Sequence, residues 1–243
     1  TSFIRSLVNA TFKTNPYLER AVMTGITRVS KESIFSDLNY LEVVTTTSEP
    51  YSDCFGFTET EVFTSLDEFG MSDKKDEVKL WYDGFTFGKH HDIYNPWSIT
   101  NYLRKRELHP YWASTSSNSL AGKLIRTASA DVKEKMEDLL QGKQSTVNFD
   151  EQIVYNQLDH NENAIWSLLL ASGYLRVEDV DYRGITREPW YNLSITNIET
   201  LSMFMNMFRG WFTSSDAKYG DFIKALVEND LDAMNYYMYN ISM

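Results

Sequence analysis

Glycines, a lysine and histidines crowd into one stretch of this chain, Lys79 to Ile99, which reads KLWYDGFTFGKHHDIYNPWSI. Gly84-Phe-Thr-Phe-Gly88-Lys89-His90 has the ingredients of a phosphate-cradling loop, but the spacing excludes one. Such a loop needs four residues between its glycines and a hydroxyl after the lysine, so that successive N–H groups wrap the phosphates and the hydroxyl holds magnesium. Here three residues intervene, two of them Phe, and His90 stands where the hydroxyl belongs. His90 and His91 point to opposite sides of an extended chain and have no partner at metal-ligand spacing, so a solvated loop over 84–92 is predicted.

Other reactive residue types are equally isolated. Cys54 has no nearby His to activate it and reads as a small buried thiol. Glu59 and Glu61 fall in the first turn of a helix, where carboxylates cap and offset the dipole. Asp37 and Asp53 are loop acids without an assigned role. No Gly-x-Ser-x-Gly elbow and no zinc spacing occurs, so no catalytic and no metal residues are assigned. The aromatic cluster Trp81, Tyr82, Phe85, Phe87, Tyr94 and Trp97 has two compatible readings. It is core, or Asn95-Pro96-Trp97 opens a helix whose free N–H groups meet a ligand while Tyr94 or Trp97 stacks on a ring.

The elements that position these residues follow from periodicity. Residues 2–12 place Phe3, Ile4, Leu7 and Val8 on one helical face, and AVMTGI (21–26) is short and apolar enough for a buried strand. TETEVFTSLDEFG opens with a capping box at Thr58 and Glu61, carries Val62, Leu66 and Phe69, and stops at Gly70. DKKDEVKLWYDG is a second helix with Val78, Trp81 and Tyr82 inward. Asn95 as N-cap and Pro96 at the first helical position start a third, with Ile99 and Leu103 facing in. Leu120, Leu124, Met136, Leu139 and Leu140 anchor helical segments that stop at Gly142. AIWSLLLASG is a buried helix ended by Gly173, followed by two alternating strands joined at Arg183-Gly184. Helix, hairpin, helix is the order of a winged-helix-like unit. Leu201, Phe204, Met205, Phe208, Trp211 and Phe212 then line one amphipathic helix, and Phe222, Ile223, Leu226 and Val227 begin another. The fold class expected is mostly α with small β, that is α+β.

Composition narrows the partners. Twenty-three Lys plus Arg stand against 34 Asp plus Glu, a net charge of −11, which opposes attraction to phosphate backbones and disfavours nucleic acid as a partner. No apolar run reaches the length of a membrane helix and no signal peptide precedes the first helix, so a cytoplasmic chain is expected. The Met-rich aromatic end, MNYYMYNISM, suggests a piece of something longer.

In order along the chain, YLERAVMTGITRVSKESIFSDLN, FGFTETEV, WYDGFTFG…DIYNPWSITNYL, YWASTSSNSL and IWSLLLASGYL resemble the AAA-ATPase-like family of anaerobic bacteria, whose members commonly carry a PD-(D/E)XK nuclease-like domain. The resemblance runs from about Phe12 to about Ala233 and implies the C-terminal half of an AAA-like nucleotidase module. It implies the end of the ATPase core with its sensor-1 strand in 1–48, a helical lid in 49–110, a winged-helix-like region in 111–196 and a helical connector in 197–243. The P-loop segment upstream and the nuclease-like domain downstream are the implied partners within the same protein. ATP and magnesium are implied as cofactors of the full-length protein, with none for this chain alone, which is expected to be inactive as an enzyme. By the same resemblance Thr24 and Arg28 lie near the γ-phosphate, and Tyr94, Asn95, Pro96 and Trp97 face the adenine. The competing reading makes Thr24 a plain strand residue and pairs Arg28 with an acid. At Asn39-Tyr40 the chain departs from the family's Asn-Asn, which leaves no role assigned there.

An alternative of another class is a stand-alone module binding protein or glycan through exposed aromatics. A third, DNA binding through the hairpin, rests on Arg176, Arg183 and Arg187, which Glu178, Asp179, Asp181 and Glu188 interleave.

Overall fold

A computed structural model describes residues 2–13, 15–25, 42–113, 119–151, 161–214, 230 and 232–233. Helix α1 (Ser2–Phe12) forms where the apolar spacing predicts it, yet Phe3 is 74% exposed and Leu7 is exposed with it. The expected strand over 21–26 is corrected: residues 21–25 carry no strand, and Val22 is 84% exposed. A strand needs a neighbour to take its N–H and C=O groups, and among the described residues none pairs with this run. Residue 26 lies outside the described residues.

The next body comprises β1 (Phe57–Thr58), α2 (Glu59–Glu68), a 3-10 turn (Ser72–Lys74), α3 (Lys75–Tyr82), β2 (Phe85–Phe87), β3 (His90–Tyr94) and α4 (Pro96–Lys105). The capping box of α2 is present: the Thr58 N–H donates to the Glu61 carboxylate at 2.8 Å, and the Thr58 hydroxyl accepts from the Glu61 N–H at 3.4 Å. At the other end Gly70 N–H donates to Asp67 O and Met71 N–H to Leu66 O, the two bonds that close a helix when a glycine follows its last turn. The loop expected over 84–92 is corrected to a hairpin. Phe85 lies opposite Ile93 and Phe87 opposite His90, so β3 carries one extra residue, and Asp92 in that bulge has φ 58°. Strand β1 joins the far side of β3, giving the antiparallel order β1-β3-β2. Three-residue strands offer too few alternations to be legible in advance.

The remaining elements are α5 (Ser119–Thr127), α6 (Ala130–Leu140), β4 (Ser145–Val147), α7 (Ala164–Ala171), β5 (Leu175–Arg183), β6 (Glu188–Ile195) and α8 (Ile198–Ser214). Gly142 and Gly173 end α6 and α7 with the same pair of bonds that ends α2. The hairpin β5–β6 forms as expected, and β4, which was not expected, pairs with β6 through Thr146 opposite Asn192. The order is β4-β6-β5, all antiparallel. Every residue from Ala164 to Leu170 is buried. In α8 Phe204 is buried and Phe208 half-buried as predicted, but Met205 is turned to solvent, one step off the inward stripe. The amphipathic segment expected over 222–227 lies outside the described residues. Cys54 is exposed in the surface turn before β1, which corrects its reading as a buried thiol. The chain is thus α+β, and among the described residues no helix is long and apolar enough to cross a membrane.

Two core clusters meet between Tyr111 and Ala113. One holds Val62, Leu66, Val78, Tyr82, Tyr94, Ile99 and Tyr102; the other holds Met136, Val147, Trp166, Leu169, Leu193 and Phe204. A chain of rings crosses the joint, Phe85 to Trp112 at 5.7 Å, Trp112 to Tyr174 at 5.4 Å and Tyr174 to Phe204 at 5.9 Å between centroids. Beside it the fully buried Glu199 of α8 accepts from the Ser98 hydroxyl of α4 at 2.8 Å and from the Trp112 N–H at 2.7 Å.

Gly84 sits where the two bodies meet, against the backbone at Thr196. Its φ is +120°, and a Cβ there would lie 2.0 Å from Thr196 O. Both the conformation and the clash act against any side chain, so Gly84→Ala should lower the unfolding free energy by about 3 kcal/mol. Gly142 also has positive φ but meets nothing within 4 Å, so Gly142→Ala should cost only about 1 kcal/mol. Urea unfolding of the two variants against the parent separates the clash from the backbone term.

Candidate functional site

The stretch rich in glycine and aromatics folds into one corner, and its side chains take different parts. Tyr82 is buried, and its hydroxyl donates to His109 O at 2.9 Å and accepts from the His109 N–H at 3.0 Å. Tyr94 is equally buried, with its hydroxyl 3.4 Å from Glu59 Oε2. Burial first, then the nearby carboxylates, push the Tyr94 hydroxyl far above its ordinary range, so it stays protonated. Phe85 fills the space over Gly173. Of the six clustered aromatics, Trp97 alone is exposed, at 55%.

The start of α4 corrects one expectation. Asn95 Oδ1 accepts from the N–H groups of Trp97 at 2.9 Å and Ser98 at 3.4 Å, Pro96 has no N–H, and Ile99 N–H donates to Asn95 O. No N–H of the first turn is left for a ligand, because the N-cap that starts the helix also occupies its donors. Gly88 N–H is likewise taken, by Thr46 O at 2.8 Å, and Lys89 reaches Glu49 at 3.4 Å. Thr24 is exposed, apart from any assigned strand, and Arg28 lies outside the described residues.

The same corner gathers Glu59 with three charged side chains that spacing did not single out. Lys79 of α3 contacts Glu59 of α2 and stands 3.4 Å from Asp92 of β3. Glu59 therefore serves in an ion pair, while Glu61 does the capping. Asp83, at the end of α3, lies against Asp92, and its Oδ1 is buried with no partner among the described residues. Burial first, and Asp92 second, push the Asp83 carboxyl up to about 7. Although burial opposes its charge, Asp92 is held below the usual carboxylate range by the hydrogen bond from Asp83 and by Lys79. The pair thus holds one proton near neutral pH, kept by the more buried Asp83 while Asp92 stays ionised. The hydrogen bond to Glu59 raises Lys79. His91, on the bulge beside Asp92, lies 3.4 Å from the Thr86 hydroxyl.

Chemically this is a proton-holding carboxyl pair braced by one ammonium, open to solvent at Asp92 and Lys79. The hydroxyl beside it is that of Tyr94, which burial keeps protonated, and among the described residues no group of His, Cys, Asp and Glu is arranged to hold a metal ion. The signal that marks it in the sequence is Asp83 itself, a single charge inside WYDGF.

No family model matches the chain, and no solved structure matches it. It is 25% identical over 201 residues to a protein of Azotobacter chroococcum described as an uncharacterized protein in the vnfD 5′ region. That match covers 81% of this chain and 35% of the relative, so the chain spans about a third of the length of the curated relative it matches.

Asp83 titrates well above its unfolded value of about 3.9, so its contribution is full below pH 4 and is lost as pH rises toward about 7. Asp83→Asn should therefore flatten the fall in stability between pH 4 and 7. The change should be on the order of 1 kcal/mol once solvent screening on the open side is allowed for. Denaturant titrations at pH 4.5 and 7.5 read it, and a slope that Asp83→Asn leaves unaltered contradicts the proton-sharing pair.

Proposed function

We propose that these residues are the lid and coupling part of a larger AAA-ATPase-like nucleotidase, which binds ATP with magnesium through an upstream P-loop segment and passes its nucleotide state to a downstream nuclease-like domain. The observation that carries the reading is the contrast between residues 2–25 and the rest. Phe3, Leu7, Tyr17, Val22 and Met23 are exposed apolar side chains on a helix and an unpaired run, beside bodies that bury their own cores. Apolar surface of that kind marks a face that another part packs against, and an upstream sheet would supply the ladder that AVMTG lacks. The length of the Azotobacter relative is in keeping with a longer protein. The hairpin β5–β6 after the buried helix α7, joined by β4 in the order β4-β6-β5, supports a winged-helix-like reading of 111–196.

In this reading the exposed Trp97, at the start of α4, is the ring that meets the adenine, Asn95 and Pro96 set its position, and Tyr94 lies just before them at the end of β3. Thr24 and Arg28 approach the γ-phosphate only when the upstream core is present. No P-loop motif occurs in this sequence to hold the β- and γ-phosphates, so the chain alone should show no magnesium-dependent ATP turnover. Measurable turnover by the purified 243 residues contradicts the proposal.

In the complete protein, Trp97→Ala should weaken binding of a fluorescent ATP analogue by roughly tenfold while leaving thermal unfolding nearly unchanged. An unaltered affinity removes Trp97 from the nucleotide. Exposure of Trp97 also favours the second reading, a module that binds protein or glycan. Its fluorescence responding to such partners and not to ATP decides for that reading.

A further inference from the structure

Strand β4 pairs with only three residues of β6, Tyr191 to Leu193. Beyond Tyr191 the β5–β6 hairpin continues as a two-stranded ribbon through Asp181 opposite Trp190, Tyr182 opposite Pro189 and Arg183 opposite Glu188. At its tip Ile185 is 104% exposed, a large aliphatic side chain held entirely in water. Two guanidinium groups are laid on rings along the ribbon, Arg183 over Trp190 at 4.4 Å and Arg187 over Tyr182 at 5.2 Å. Arg183 is also committed to Asp181 at 2.8 Å. Stacking orders these long side chains in advance, which lowers the entropy lost on contact with a partner.

At the base of the same ribbon lies a cleft of about 510 Å³. Val43, Phe149, Pro189 and Tyr191 give it apolar walls, and Asp150 and Glu151 give it an acidic side. Glu151 is fixed there, accepting from the hydroxyls of Thr45 at 2.9 Å, of Tyr191 at 2.5 Å and of Thr47. The cleft is mixed, with Thr45, Ser48 and Asn148 beside its apolar walls, and its acidic side complements the guanidinium next to the apolar tip; both belong to this chain.

Their placement adds a symmetry argument. Arg187 and Tyr191 are four residues apart on one strand, roughly 13 Å at about 3.3 Å per residue. Two ribbons running antiparallel side by side bring each tip to the other's cleft at once, which is the condition for a closed two-fold contact. Edge-to-edge pairing of β5 is blocked instead, by the irregularity between Val177 and Asp179 and by the charges of Glu178, Asp179 and Asp181.

We infer that two copies of this chain associate through their β5–β6 ribbons, the Ile185 tip of each seated in the cleft of the other and Arg187 facing the partner's Asp150. Ile185 is the apolar anchor, and the charged contacts set orientation and make the association weaken with salt.

Sedimentation equilibrium over a concentration series tests this on the 243-residue chain. The parent should dimerise, and Ile185→Asp should raise the dimer dissociation constant at least about tenfold with an unchanged circular dichroism spectrum. Arg187→Glu should do the same and covers the case in which the first variant folds poorly. Combining it with Asp150→Arg should recover most of the lost affinity, which a purely structural effect of either change would not. A parent that stays monomeric throughout the series, an Ile185→Asp variant that dimerises like the parent, or a charge swap without recovery overturns the inference.

Discussion

One buried carboxyl holds the two bodies in register. Glu199 is fully buried and sits where α4, the turn at Tyr111 to Ala113 and α8 converge. Both its oxygens accept from the Ser98 hydroxyl, and one also accepts from the N–H groups of Trp112 at 2.7 Å and Ala113 at 3.4 Å. Burial raises its pKa and these hydrogen bonds oppose the rise. A buried acid is tolerable only while its donors stay in place, because removing one leaves the desolvation cost uncompensated. The contact therefore specifies a geometry more than it adds stability, and the relative placement of the two sheets inherits that geometry.

Around this point the chain is cut to fit. Gly84 lets the end of α3 come against the backbone at Thr196, and Gly173 leaves room for the Phe85 ring. The ring chain from Phe85 to Phe204 then fills the joint, so the WYDGFTFG stretch is explained first as a packing device. Its one carboxyl is the exception. Close packing at Gly84 strips water from Asp83, and the β3 bulge brings Asp92 to it, so the proton-sharing pair is a by-product of the same approach that forms the joint.

How much of this was legible depends on range. Helix α2 was readable to its cap and its stop, because Thr58, Glu61 and Gly70 act through bonds within three to five residues of themselves. The same holds for Asn95 and α4, for Gly142 and Gly173, and for the long alternating strands β5 and β6. Strands β1 to β4 were missed, since β1, β2 and β4 are only two or three residues long and β3, His90–Tyr94, does not alternate between buried and exposed. AVMTG failed in the opposite way: its composition suits a strand, but among the described residues no neighbour completes one. The acid pair and the Glu199 contact were invisible because their members lie 9 and 101 residues apart, as 92 − 83 and 199 − 98 show.

The amino-acid sequence by itself determined the α+β class, most helices with their ends, the long hairpin and the absence of a phosphate loop at Gly84 to His90, all consequences of local bonding and spacing. Tertiary structure alone decided which acids meet, which aromatics are buried and which tip and cleft are presented. Burial and proximity across the chain set charge state and exposure, and neither is encoded in any single stretch.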